Sequence, residues 1–130
     1  MNKIKMLQWL FSIIAAGIML QTLYFKFTGH EQSVKLFTAL GMEPWGRIGI
    51  GSMELVAAFL LLIPRTNWLG ALLGLGLMSG ALFFHLTKLG IYFDGDPFLF
   101  VYGLVTWIAC LLLLILQRKQ ISSYLIKLKK

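Results

Sequence analysis

Acidic side chains are almost missing from this sequence: five Asp and Glu stand against twelve Lys and Arg, and all charged types together make up 13% of 130 residues. A soluble domain carries about a quarter charged residues, so too few are present to cover a water-exposed surface. Cysteine is scarcer still. Cys110 is the single one, which excludes an intramolecular disulfide and any self-contained dithiol chemistry. It reads as a small apolar filler in a helix. The two histidines, His30 and His85, fall in different segments, so neither a metal-ligand set nor a haem-ligand pair is evident.

What is present is apolar side chain, 58% of the residues, with a mean hydropathy of +0.81. It comes in long blocks rather than in alternation, the pattern of membrane helices. The length suits one domain, residues 1–130. We expect an all-α membrane protein, a bundle of four transmembrane helices, with spans at about 6–25, 45–63, 68–89 and 98–116. Each span approaches the roughly 20 residues that cross a hydrocarbon core. The first run has the basic flank of a signal peptide, but it is too long for a typical h-region and lacks a clear cleavage site. It reads as a retained span. Pro64-Arg65-Thr66-Asn67 marks a tight turn and Asp94-Gly95-Asp96-Pro97 the last joint.

The net charge of +7 raises nucleic acid as a partner, but the basic residues sit at chain ends and joints rather than on one face. No nucleic-acid role is expected. Their placement sets direction instead. Lys26, Lys35, Arg47 and Lys88 fall on one side, while Lys3, Lys5, Arg65, Arg118, Lys119, Lys127, Lys129 and Lys130 fall on the other. The richer side is cytoplasmic, which makes both termini internal.

Two further segments read as interfacial. Between Thr28 and Gly41, Val34, Phe37 and Leu40 recur opposite Glu31 and Lys35. Thr28 with Glu31 resembles a capping box, and Gly41 suits a helix stop, so a short helix on the outer surface is expected. At the C-terminus Ile121, Tyr124, Leu125 and Leu128 alternate with Lys127, Lys129 and Lys130. This basic amphipathic segment either binds anionic lipid or simply extends the last helix. Gly70 with Gly74, and Gly76 with Gly80, form small-xxx-small pairs for close packing inside the bundle or for a homo-oligomer seam.

Function is expected where ionisable groups are held at membrane depth. Glu54 stands in the middle of the second span, on the order of 10 Å below the outer boundary at 1.5 Å per residue. A lone carboxylate there needs a partner, a proton or water. Arg47, seven residues earlier, shares its helical face with Gly51 and Ala58. His85 from the third span, Gln21 and Tyr24 from the first, and Tyr102 with Thr106 from the fourth complete an expected outer-half polar pocket floored by Glu54. Lys26 lies near the outer rim, 140° round the helix from Gln21 at 100° per residue, where it can snorkel. A His85–Glu54 relay would suit the titration range of histidine. A buried pair can equally specify packing with no ligand at all.

Several stretches carry a family resemblance: Tyr24-Phe25-Lys26 closing the first span, Ala39-Leu40-Gly41-Met42 in the outer joint, Gly51-Ser52-Met53-Glu54-Leu55 with Leu60-Leu61-Leu62-Ile63-Pro64, and Met78-Ser79-Gly80-Ala81 with His85-Leu86. On these the chain resembles the DoxX and DoxX-like families of small four-helix bacterial membrane proteins. The resemblance implies residence in the bacterial inner membrane. It also implies an accessory subunit of a membrane redox or stress-response complex with a larger partner, and functional roles for Glu54, Lys26 and His85. Distant four-helix relatives that hold apolar ligands among intramembrane acids make a quinone-like or other lipophilic ligand the expected occupant, with no covalently bound cofactor. No self-contained catalytic constellation is present, so any enzymatic role is as a subunit of a membrane oxidoreductase. A ligand-free structural or assembly protein and a small proton-coupled transporter are the alternatives.

Overall fold

The computed structural model describes residues 3–129 apart from positions 94 and 96. Of the residues invoked above, Asp94, Asp96 and Lys130 lie outside the described residues, as do the side chains of Tyr124 and Lys129. The helices are α1 (Lys3–Phe27), α2 (Glu31–Ala39), α3 (Trp45–Leu62), α4 (Asn67–Phe84), α5 (Phe98–Leu116) and α6 (Arg118–Lys129). A π-helical turn, His85–Leu89, prolongs α4. No strand is present among the described residues, in keeping with an all-α bundle.

Among the described residues, four segments are long and apolar enough to cross a membrane: Lys3–Phe27, Trp45–Leu62, Asn67–Leu89 and Phe98–Leu116. They pack in the ring order α1–α3–α4–α5, with α5 closing on α1. The ring is sewn by small side chains, Ala15, Ala16, Ala57, Ala58, Ala71, Ala109 and Cys110, around Met19, Leu61 and Leu113. Small residues let helix backbones approach where lipid leaves no hydrophobic drive for association. The outward faces carry the bulky apolar groups, among them Ile13, Phe59, Leu72, Phe83 and Ile108. That inside-out distribution suits an apolar solvent.

Local chemistry explains the boundaries. Ile63 is extended (φ −103°, ψ 119°) because it precedes Pro64, whose ring disfavours a helical neighbour. Gly41 and Gly90, at φ +72° and +78°, take left-handed conformations that stop α2 and the π turn. The expected Thr28–Glu31 capping box does not form. α1 runs on to Phe27, so the Thr28 hydroxyl donates backwards to the Tyr24 carbonyl (2.7 Å). His30 takes the N-cap position instead, its Nδ1 accepting from the Gln32 amide (3.3 Å).

Of the two glycine pairs, only the first is packed inside. A Cβ on Gly70 would lie 2.6 Å from the Leu61 nitrogen and 2.8 Å from the Ala57 oxygen, and one on Gly74 2.9 Å from the Cys110 sulfur. Gly76 and Gly80 face open space. The C-terminal segment is a helix of its own, α6, set off from α5 by a non-helical Gln117. At that end of the bundle, Gln117 Nε2 donates to Asn67 Oδ1 at 2.6 Å, a buried bond tying α5 to α4.

Candidate functional site

Glu54 does face a partner, and the partner is Lys26. The Lys26 ammonium lies 3.1 Å from Glu54 Oε1 and 3.3 Å from Oε2. The Lys26 side chain is 16% exposed and that of Glu54 only 2%. Lys26 therefore turns inward from the end of α1 rather than snorkelling to the headgroups. Thr22, one helical turn before it on the same face, places its hydroxyl 3.3 Å from Glu54 Oε2 and 3.1 Å from the Met19 carbonyl. A hydroxyl has one proton, so Thr22 serves one of these acceptors at a time. Breaking such a buried pair costs far more than the pair contributes.

Arg47 shares the Glu54 face but not the Glu54 carboxylate. Its guanidinium grips Glu43 through Nε and Nη2, both at 2.9 Å from Oε1. Nη1 donates to the backbone carbonyl of Lys26. Arg47 thus closes the C-terminus of α1, while Glu54 receives the ammonium of that same lysine. The room left by Gly51 is filled by protein: a Cβ there would meet Phe27 Cε1 at 2.9 Å and Leu23 Cδ1 at 3.2 Å.

Beside the ion pair is a cavity of about 260 Å³, walled by all four bundle helices and roofed by Ser33, Leu36 and Phe37 of α2 and by Leu40 at its C-cap. Phe37 is buried, so α2 is pinned by its apolar face rather than resting loosely on the bundle. The lining is mainly apolar, with Lys26, Glu54, Thr22, His85, Tyr102 and Thr106 as its polar groups toward the bundle. Lys26 and Glu54 are the formally charged side chains among the described lining residues.

His85 reaches this cavity through the π turn. It is buried at 5% exposure, and its Nδ1 lies 3.0 Å from the Gly90 carbonyl. A carbonyl only accepts, so Nδ1 carries the proton in that bond. The ring also meets Phe100 edge-on at 5.8 Å. Thr106 is fully buried, and its hydroxyl has no hydrogen-bond partner among the described residues. Buried hydroxyls are normally satisfied, and this one is closed off from the cavity space by its full burial.

Of the sequence candidates, the structure brings Glu54, Lys26, His85 and Tyr102 to one cavity. Arg47 stands behind it, bonded to the Lys26 backbone. Gln21 and Tyr24 are not brought there. Both lie on the exposed side of α1, Tyr24 at 64% exposure, because the α1 face that meets α3 is the one carrying Met19, Thr22, Leu23 and Lys26. Thr22 and Ser33 were not anticipated. The spacing of Thr22, four residues before Lys26, was the available signal. Among the described residues no group of three or more His, Cys, Asp or Glu could hold a metal ion. The site can donate from Lys26, accept at Glu54 and exchange either with a hydroxyl or carbonyl group.

A family model described as the DoxX-like family matches residues 10–109. No curated protein and no solved structure matches the chain. The matched region includes Lys26, Glu54, His85 and Thr106 and reaches well into the last of the four apolar helices, and the chain is a multi-pass membrane protein belonging to the DoxX-like family.

Proposed function

We propose that the protein binds a small lipophilic, quinone-like molecule in the cavity beside Lys26 and Glu54, as an accessory subunit of a membrane redox or stress-response complex. The observation that carries this reading is a buried ion pair in the wall of one largely apolar cavity. Ligand pockets are built in this way, with apolar walls and a few convergent polar groups. A bundle serving packing alone has reason to fill such a volume.

The accessory role is supported by cysteine arithmetic and by the family resemblance. With Cys110 alone and fully buried, a dithiol step would draw its thiols from a partner protein. The charge placement supports an inner-membrane orientation with both termini cytoplasmic. α6 then lies at the cytoplasmic surface, where its lysines meet anionic lipid. A ligand-free assembly protein is the second reading, favoured by the fact that Lys26 and Glu54 already satisfy one another.

Two experiments test the proposal. Purified protein in nanodiscs is titrated with a short-tailed benzoquinone analogue, followed by tryptophan quenching. Saturable binding is expected in wild type and in the lipid-face variant Gln21→Leu, and loss of it in Lys26→Met/Glu54→Leu. Equal binding by the double variant would overturn the site. Mild-detergent pull-downs should retain a larger redox protein, and repeated recovery of this chain alone would overturn the accessory role.

A further inference from the structure

The cavity is not sealed from the bilayer. Gly76 and Leu77 line it from one side and line, from the other, a groove on the lipid face of the α3–α4 seam. The remaining walls of that groove include Met53, Leu60 and Leu72, and no charged residue contributes to it. The seam is shut toward the α3–α4 turn, where Gly70 sits 2.6 Å by its notional Cβ from the Leu61 backbone. Further along α4 it opens: a Cβ on Gly76 or on Gly80 would meet nothing within 4 Å. The same two glycines line the cavity. The cavity and the lipid-face groove thus meet at Gly76 and Leu77 on the α3–α4 seam.

Size and charge then restrict what can occupy it. At about 260 Å³ the cavity falls below the roughly 300–1,000 Å³ that encloses a drug-sized ligand. It accommodates a head group, and a tail must leave through a gap. Lys26 and Glu54 cancel one another at 3.1 Å. A ligand bringing a net charge would find no counter-charge among the described lining residues, and an unpaired buried charge is strongly disfavoured. A neutral head with hydroxyl or carbonyl oxygens meets no such barrier. It can accept from Lys26 and donate to Glu54.

We infer that the site takes an uncharged, single-tailed amphiphile directly from the bilayer, its oxygen-bearing head beside Lys26 and Glu54 and its tail leaving between α3 and α4 past Gly76. This rests on the ligand-binding proposal above and narrows it to a neutral head and one lateral exit. Anionic and cationic lipids are thereby excluded as occupants.

Three photoreactive probes of equal tail length test the inference: a monoacylglycerol, a fatty acid and an alkyltrimethylammonium, each with a diazirine in the tail. The full chain is labelled in nanodiscs of zwitterionic lipid, and the labelling competed by excess unlabelled probe is mapped by peptide mass spectrometry. The monoacylglycerol should label Met53 and Leu72 saturably, with about tenfold less from either charged probe, a difference of about 1.4 kcal/mol. Gly76→Trp should reduce that labelling by about tenfold, and Leu20→Trp on the lipid face of α1 should leave it unchanged. If Gly76→Trp does not yield a monodisperse protein, the wild-type map and Gly80→Leu decide. Saturable labelling on the α1–α5 seam, insensitive to the plug, would overturn the lateral exit and leave the ligand proposal standing. Stronger saturable labelling by a charged probe would overturn the neutral head in the same way. No saturable labelling by any of the three would overturn both.

Discussion

Replacing Lys26 with methionine keeps most of the side chain's length and deletes its charge. Glu54, at 2% exposure, is then left with the Thr22 hydroxyl, whose one proton it shares with the Met19 carbonyl. The carboxylate stands nine residues into α3, about 13 Å along the axis from Trp45 at 1.5 Å per residue, and its short stem cannot reach the headgroups. Removing one partner of a buried pair costs about 3–5 kcal/mol, so Lys26→Met should lower stability by that amount. The reciprocal change is milder. In Glu54→Leu the Lys26 ammonium, one residue from the end of α1, can swing out on its four-carbon stem, and about 1 kcal/mol is expected. The double variant should lie near wild type or above it, since apolar isosteres often match a buried pair. Reversible unfolding in mixed micelles of a mild detergent and dodecyl sulfate, read by circular dichroism, resolves these differences. At about 1.4 kcal/mol per decade, Lys26→Met shifts the unfolding constant by at least two powers of ten. The reasoning is refuted if Lys26→Met is no worse than Glu54→Leu, or if the two single effects simply add in the double variant.

Gly70→Ala should destabilise by about 1–3 kcal/mol, the usual cost of overpacking, because its Cβ meets backbone atoms of α3 at 2.6 and 2.8 Å. Gly76→Ala, with nothing within 4 Å, should be neutral or stabilise by up to about 1 kcal/mol through helix propensity; the same micelle titration compares them. Arg47→Lys keeps the charge but loses the two-pronged grip on Glu43 and the bond to the Lys26 carbonyl. A loss of about 1.5–3 kcal/mol is expected, and a shift in melting temperature within error of wild type would contradict it. In intact bacterial cells, a membrane-impermeant maleimide should label Gln32→Cys and spare Ser123→Cys, with the buried Cys110 silent. The reverse pattern would invert the orientation.

The helices were legible because each span is a predominantly apolar run bounded by Pro, Gly or charge. Their ends fall within a few residues of the sequence expectation. Ile63 before Pro64 and the left-handed Gly41 show why: those boundaries are set by local sterics. The site was legible in part. Glu54 announced itself as a carboxylate in a span, but its partner did not follow from helical faces. Arg47 shares the face of Glu54, yet Glu43 lies four residues earlier, in the turn that leads into α3, and captures the guanidinium first. Lys26 was measured against Gln21, a polar residue that turns to lipid, whereas the informative neighbour was Thr22. The π turn at His85–Leu89 has no signature in the residues themselves. Neither did the Asn67–Gln117 bond, since both residues sit at span ends, where a polar side chain reads as an ordinary interfacial group.

The claim that the cavity beside Lys26 and Glu54 holds a lipophilic molecule is tested most directly by native mass spectrometry. The protein is extracted in polymer nanodiscs with its own lipids and released in the gas phase. Wild type should carry one neutral amphiphile per chain, and Ala81→Trp, which plugs the cavity wall, should fly bare. A bare wild type, or the same adduct at the same occupancy in Ala81→Trp, would contradict the account.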